Sequence, residues 1–292
     1  MKTTKQLSLL LAFAMMMSCD IINPDEPVPA YLVIDSYTFE TDYGTEGTNS
    51  EKFSEIWVYA GAEFIGAFEV PCVVPIIANG ATQLSLRPGI KNNGMSSTRR
   101  AYPFIQPFDI NIEMYPLEFD TIRPEFHYRE NLIINNLEDF EQGCIFTAES
   151  SSQSTMERIT DPNVVFEGNG CGEGLLLEGE NVLRVVSNEQ QLNLPSNKLS
   201  WLEMNYKSNN SFAVGLYAVT SASIDKEYLV ILNPTTDDAG VDQWNKIYIE
   251  MTSVTASYAN ASHFEMFIEC IRDGEVDEVK LHVDNLKMLH FE

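Results

Sequence analysis

The sequence predicts an all-β protein built as two β-sandwich bodies behind an export leader and a flexible tether. Three observations carry this reading. Apolar and polar residues alternate with period two in many short runs, as in Thr82–Arg87, Phe108–Tyr115 and Phe264–Ile271. Turn residues such as Asn79-Gly80, Pro88-Gly89 and Asp273-Gly274 separate the runs at roughly 8–12-residue spacing. No long segment shows the 3.6-residue period of an amphipathic helix.

Residues 1–18 read as a leader. Lys2 and Lys5 open it, Leu7–Met17 is mostly apolar, and Ser18 precedes Cys19. The run is shorter than the roughly 20 apolar residues of a membrane span. Residues 19–30 read as a tether, because Asp20–Ala30 holds three prolines and three acidic residues without a period.

The first body spans 31–130. Tyr31–Phe39 begins a β-rich run, Ile56–Tyr59 and Phe64–Val70 flank a Gly61 turn, and Thr82–Arg87 and Phe108–Tyr115 follow. Pro71 and Pro75 are read as breaks. Lys91–Arg100 is the one basic loop of the chain, either a mobile hairpin loop or a contact for an acidic partner. The boundary is placed near Glu130. The second body, 131–292, carries strands at 163–167, 174–178, 183–187, 200–207, 212–219, 227–232, 244–251, 264–271 and 279–289. Gly168–Gly174 is read as a flexible loop, since no Lys-Ser/Thr or helix follows to make it a phosphate loop.

With 43 acidic against 18 basic residues the net charge is −25. Such a chain repels nucleic acid and anionic membrane surfaces, so no nucleic-acid partner is expected, and the only expected membrane contact is a lipid anchor. Its carboxylates offer oxygen ligands for Ca²⁺, although plain solvation explains acidity equally well. Leaving Cys19 aside, four cysteines allow three pairings, of which Cys144–Cys171 is the candidate disulfide in an exported chain. Cys270, alternating with Phe264, Met266 and Ile268, reads as a small core residue. No Cys-x-x-Cys or paired-His spacing marks a zinc site.

Three resemblances add expectations. Met16-Met17-Ser18-Cys19 resembles the lipobox of bacterial lipoproteins, with Met where that family has Leu and Ala or Ser. It implies cleavage before Cys19 and its acylation by chains such as palmitate, hence an outer-membrane-anchored, surface-exposed envelope protein; several chains would give stable anchoring. Residues 56–94 resemble PEGA-type domains, which implies a surface interaction module without catalytic residues. Glu138–Glu141, the strand opened by Trp244 and the closing Leu281–Met288 resemble galactose-binding-like jelly rolls, the fold of many carbohydrate-binding modules. By position, that likeness implies that Glu141 and Asp284 hold a structural Ca²⁺; the other reading is that Asp284 caps a turn or pairs with a base.

Alternation also places Trp201, Glu203 and Asn205 on one face of their strand, and Trp244 and Tyr248 on one face of theirs. Sharing a sheet, they would form an aromatic platform on which sugar rings stack, with Glu203 and Asn205 binding hydroxyls. The plainer reading is packing between strands. Three functions follow in order: a non-catalytic glycan-binding surface protein, an envelope or adhesion component that contacts other proteins, and a jelly-roll enzyme acting on polysaccharide. No nucleophile–His or metal–His arrangement supports the last.

Overall fold

The computed structural model describes residues 26–187, 192–274 and 276–292; the leader, Cys19 and most of the tether lie outside the described residues. Strands dominate the regular structure of the described chain, with little helix, as the alternation predicts. Its N-terminal unit holds β1 (Ala30–Ile34), β2 (Thr38–Phe39), β3 (Glu55–Ala60), β4 (Glu63–Phe68), β5 (Cys72–Ile76), β6 (Gly80–Lys91), β7 (Arg99–Ala101), β8 (Phe108–Met114), β9 (Phe119–Ile122) and β10 (Glu125–Phe126). The C-terminal unit holds β11 (Leu132–Glu138), β12 (Thr147–Ala148), β13 (Met156–Ile159), β14 (Cys171–Leu176), β15 (Val182–Val186), β16 (Ser200–Ser208), β17 (Phe212–Val219), β18 (Ile224–Leu232), β19 (Asn245–Glu250), β20 (His263–Ile271) and β21 (Val279–Phe291). Two short α-helices, α1 (Tyr43–Glu46) in the N-terminal unit and α2 (Thr252–Ser257) in the C-terminal one, and a 3-10 turn at Ser96–Thr98 complete the described elements.

In the N-terminal unit, β6 is flanked by β3 and by β7 and β8, while β1 pairs with β5 on one side and runs parallel to β9 on the other. Pro75 does not end β5, contrary to its reading as a break. That strand pairs with β1 alone, and an unpaired edge needs no donor from proline.

The C-terminal unit is a sandwich of two antiparallel sheets, β13–β14–β21–β16–β19 with β11 also on β21, and β12–β15–β20–β17–β18. Their inner faces close on Phe140, Leu183, Met204, Phe212, Met266 and Leu281, all essentially dry. Each such side chain contributes about 1.5–3 kcal/mol by leaving water.

β21 is the spine of this unit. Its first half pairs with β14, its second half with β11, and its whole length with β16. Leu281 and Val283 face the core, and so do Leu286 and Met288. Period two alone would put the second pair outside. The phase is reset at Asp284-Asn285, where Asn285 takes a φ of 50° and the register to β16 slips between Glu203 and Asn205. This is a β-bulge, and Asn tolerates its left-handed residue better than most.

Further sequence readings are corrected. Pro88-Gly89 is no turn but continues β6, where it pairs with Glu55-Ile56 of β3. Residues 163–167 are not a strand but turns and bends. Gly168–Gly174 is not wholly a loop, since β14 begins at Cys171. Its glycines are there for close packing: a Cβ on Gly172 would lie 2.5 Å from the Phe140 ring, and one on Gly174 would lie 2.4 Å from Leu183.

Candidate functional site

The expected platform does assemble. β16 and β19 are neighbours, so Trp201 lies opposite Glu250, Glu203 opposite Tyr248 and Asn205 opposite Lys246, all on one face. That face is not open, which corrects the expectation of an exposed sugar platform. The N-terminal unit covers it, leaving Trp201 0 %, Glu203 1 %, Asn205 1 % and Tyr248 3 % exposed. Trp201, Tyr248 and Leu289 belong to the core of the N-terminal unit, together with Tyr102, Phe104 and Tyr128. Tyr102 and Phe104 pack on Trp201 with centroids 5.4 and 5.3 Å away, and the Arg100 guanidinium lies 4.9 Å over its ring.

The centre of this junction is ionic. Glu203 Oε1 accepts from the Tyr102 hydroxyl at 2.6 Å and both carboxylate oxygens from Tyr128 at 3.0 Å. Lys246 Nζ lies 3.0 Å from Oε2, an ion contact without the alignment of a hydrogen bond, and Lys287 Nζ lies 3.9 Å away. Lys287 donates to the carbonyls of Glu46 and Thr48 at 3.0 and 2.7 Å and to the Tyr128 hydroxyl at 3.0 Å. Burial alone would raise the Glu203 carboxyl, but the charges of Lys246 and Lys287 hold it below the ordinary carboxylate value. Burial pulls Lys287 down to about 8, against the opposing pull of Glu203. Asn205 donates to Ser50 Oγ across the junction at 2.9 Å.

Glu265, Phe267 and Glu269 alternate with the core residues of β20 and lie on the outer face of the other sheet. There Phe267 is flanked by Tyr217 and Tyr228 and capped by Lys226 at 4.4 Å. Glu269 already accepts from Arg184, from Lys226 at 2.8 Å and from Tyr228 at 2.8 Å. Donors and acceptors on this open face are spent on each other.

A cleft of about 780 Å³ opens where the two units meet. Its walls are Lys52, Phe53, Lys91 and Asn93 from the N-terminal unit, and Tyr206, Asn233, Trp244, Asn245 and Tyr248 from the C-terminal unit. Trp244 is half-buried at the lip, just before β19. Its Nε1–H donates to Val164 O at 2.9 Å, which fixes the indole, and Phe166 backs it at 5.3 Å. Asn245 donates to the Tyr206 hydroxyl at 2.7 Å, and Lys52 N donates to the Tyr248 hydroxyl at 2.9 Å. Of the platform residues, the structure therefore brings Trp244 and Tyr248 into the cleft and places Trp201, Glu203 and Asn205 in the junction behind it.

The basic stretch Lys91–Arg100 is no mobile loop. Asn93 N donates to Tyr248 O, Asn93 Oδ1 accepts from Glu250 N, both at 2.9 Å, and Asn92 reaches Glu250 Oε2 at 2.8 Å. The sequence carried no signal for this, because loop and strand lie about 150 residues apart and only the fold joins them.

Cys144 and Cys171 do not pair; all four cysteines of the described chain are free. The alternation of β14 explains it. Gly172 and Gly174 face the core, which turns Cys171 to the other face, whereas Cys144 packs against the core beside Met156.

Glu141 and Asp284 lie near one another and near Glu167. Among the described residues no group of three or more His, Cys, Asp or Glu side chains is placed to hold a metal ion, so a calcium ion here would need other oxygens to complete its shell. Glu141 accepts instead from Asn169 at 2.7 and 2.9 Å. Asp284 Oδ2 is buried without a partner, and burial pushes this carboxyl up to about 8, with the charges of Glu167 and Glu141 adding.

A pH effect follows. The folded chain keeps the Asp284 proton up to about pH 8, whereas the unfolded chain releases it near 3.8. The resulting stability is complete below the unfolded value and is lost as pH rises to about 8. Thermal unfolding of the wild type against Asp284→Asn is expected to show the wild-type Tm falling from pH 5 to 8 by on the order of 5 °C more than that of the variant. Parallel curves would exclude a buried neutral Asp284.

No known protein-family profile and no curated protein matches this chain. Among solved structures it is similar to a carbohydrate-binding module of the β-sandwich superfamily, with TM-score 0.39 and 14 % identity over 90 % of this chain and 98 % of that one. It is also similar to the family 30 carbohydrate-binding module of a cellulosomal cellulase of Clostridium thermocellum, with TM-score 0.40 and 12 % identity over 53 % and 96 %. A third is the K3 cleaved adhesin domain of Lys-gingipain from Porphyromonas gingivalis, with TM-score 0.34 and 13 % identity over 52 % and 95 %. The sandwich assignment rests on the strand order above and not on these likenesses.

Proposed function

We propose that this chain is a non-catalytic, lipid-anchored envelope protein that takes a glycan into the cleft between its two β units. The observation that carries the reading is the cleft lining. A fixed indole at the lip, part of its ring taken by Phe166 at 5.3 Å and by the Lys207 ammonium at 5.1 Å, lies beside Asn93, Asn233, Asn245 and lysine ammonium groups, which combines an apolar surface with hydroxyl-binding groups. Glu69 is the only carboxylate among the described lining residues, and it sits 3.6 Å from Arg99. Glycoside hydrolysis ordinarily needs two carboxylates about the scissile bond, so the lining supports binding without turnover.

Retardation in gels cast with a panel of polysaccharides tests the binding. At least one glycan is expected to retard the protein without release of new reducing ends. Failure of every glycan to retard it, or release of sugar, would overturn the reading.

The anchor rests on Met16–Cys19 and is tested separately. Cys19→Ser is expected to move the protein from the membrane fraction to the soluble fraction of the cell, and an unchanged membrane fraction would count against acylation at Cys19.

A further inference from the structure

We propose that the cleft selects acidic glycans, with Lys52 and Lys91 receiving a carboxylate or sulfate of a sugar that lies along Trp244. This rests on the glycan reading above and narrows its ligand class. In a chain with 43 acidic and 18 basic residues, the cleft is lined by three lysines and one carboxylate. Two of those charges are already spent, since Lys246 is held by Glu203 and Glu69 faces Arg99. Lys52 and Lys91 are different: neither has a carboxylate partner among the described residues. Lys52 Nζ donates to the Asn245 side-chain oxygen, a neutral acceptor, which points the ammonium across the cleft to the β19 wall.

The two lysines come from segments that the fold has to bring together. Lys52 precedes β3, its backbone N–H pinned by the Tyr248 hydroxyl. Lys91 ends β6, just before the turn that Asn92 and Asn93 fasten to β19. They are close enough that the Lys91 charge, after burial, helps hold the Lys52 ammonium below its ordinary lysine value. Like charges on the walls of one cleft are relieved by an anion bound in it.

The net charge of −25 opposes an anion at long range. At physiological ionic strength that field is screened beyond about 8 Å, and inside the cleft the two ammonium groups dominate. A charge-assisted hydrogen bond from an ammonium group to an anion is roughly twice as strong as a neutral one. Arg99 and Arg100 do not share the task, because Arg99 is engaged by Glu55 and Glu69, and Arg100 by Glu250 and the Trp201 ring.

The test is calorimetric titration with three tetrasaccharides: cellotetraose (neutral), tetragalacturonate (carboxylate) and a chondroitin sulfate tetrasaccharide (sulfate and carboxylate). It is run on the wild type, on the double variant Lys52→Gln/Lys91→Gln and on Trp244→Ala. The wild type is expected to bind at least one acidic probe tenfold or more tightly than cellotetraose, with the preference shrinking in 1 M NaCl. The lysine variant is expected to lose the preference, and Trp244→Ala to weaken every probe that binds. A wild type that binds cellotetraose as tightly as both acidic probes overturns the acidic preference and leaves the glycan reading standing. An acidic preference that survives in the lysine variant overturns the assignment to these residues. No binding of any probe, and none in the polysaccharide gels, overturns both. Both lysines reach solvent at the cleft, so the double variant is expected to fold with an unchanged Tm.

Discussion

Glu203→Ala is expected to lower the unfolding free energy by about 3–5 kcal/mol, the range seen when one partner of a buried ion pair is removed. The loss comes from what stays behind. Lys246 and Lys287, each 2 % exposed at the side chain, would sit in the junction without their counter-charge, and the hydroxyls of Tyr102 and Tyr128 would lose their acceptor. For a chain of this size the corresponding fall in Tm is roughly 5–10 °C. Replacing Glu203 and both lysines together, as Glu203→Leu/Lys246→Met/Lys287→Met, is expected to recover much of that loss, because apolar side chains of similar volume remove the charges as well as the pairing. Denaturant titration measures both. A Glu203→Ala variant within 1 kcal/mol of wild type would mean that the two units do not close on this residue in solution.

The second large effect is on binding. Trp244→Ala removes the cleft's fixed aromatic plane while leaving Glu203 and its partners untouched. Truncation of an aromatic that anchors a ligand typically costs about 2 kcal/mol or more, which is about 30-fold in Kd. The indole also braces Val164 and Phe166, so Trp244→Phe is the companion variant. It gives up the hydrogen bond and retains a ring, and is expected to keep most of the affinity.

Much of the fold was legible in the chain itself. The alternation of Leu202, Met204 and Tyr206 against Trp201, Glu203 and Asn205 placed both faces of β16 correctly, and the same holds for β19 and β20. What alternation cannot say is what covers an outer face. Trp201 beside Glu203 reads as a solvent-facing platform, because aromatic and charged residues are what such a platform needs. A buried junction with satisfied charges needs the same residue types. The deciding groups, Tyr102, Tyr128 and the carbonyls of Glu46 and Thr48, lie 75 to 241 residues away in sequence from their partners. Only the end of β14, from Gly174, was read as strand; its Gly-rich start looks like a loop until the Phe140 and Leu183 side chains that need the space are in place. The reset at Asp284-Asn285 was visible in principle: the apolar positions jump from Val283 to Leu286, an odd step that only a bulge reconciles with one buried face.

Two surfaces compete as the place where a sugar would lie: the junction cleft with Trp244 at its lip, and the open face of the second sheet with Tyr228 half exposed beside Phe267. Titrating the best glycan from the polysaccharide panel into Trp244→Ala and Tyr228→Ala, side by side, separates them. Affinity is expected to fall about 30-fold or more in the first variant and to stay within twofold of wild type in the second. Loss of binding in Tyr228→Ala with full affinity in Trp244→Ala would contradict the cleft and move the site to the open sheet.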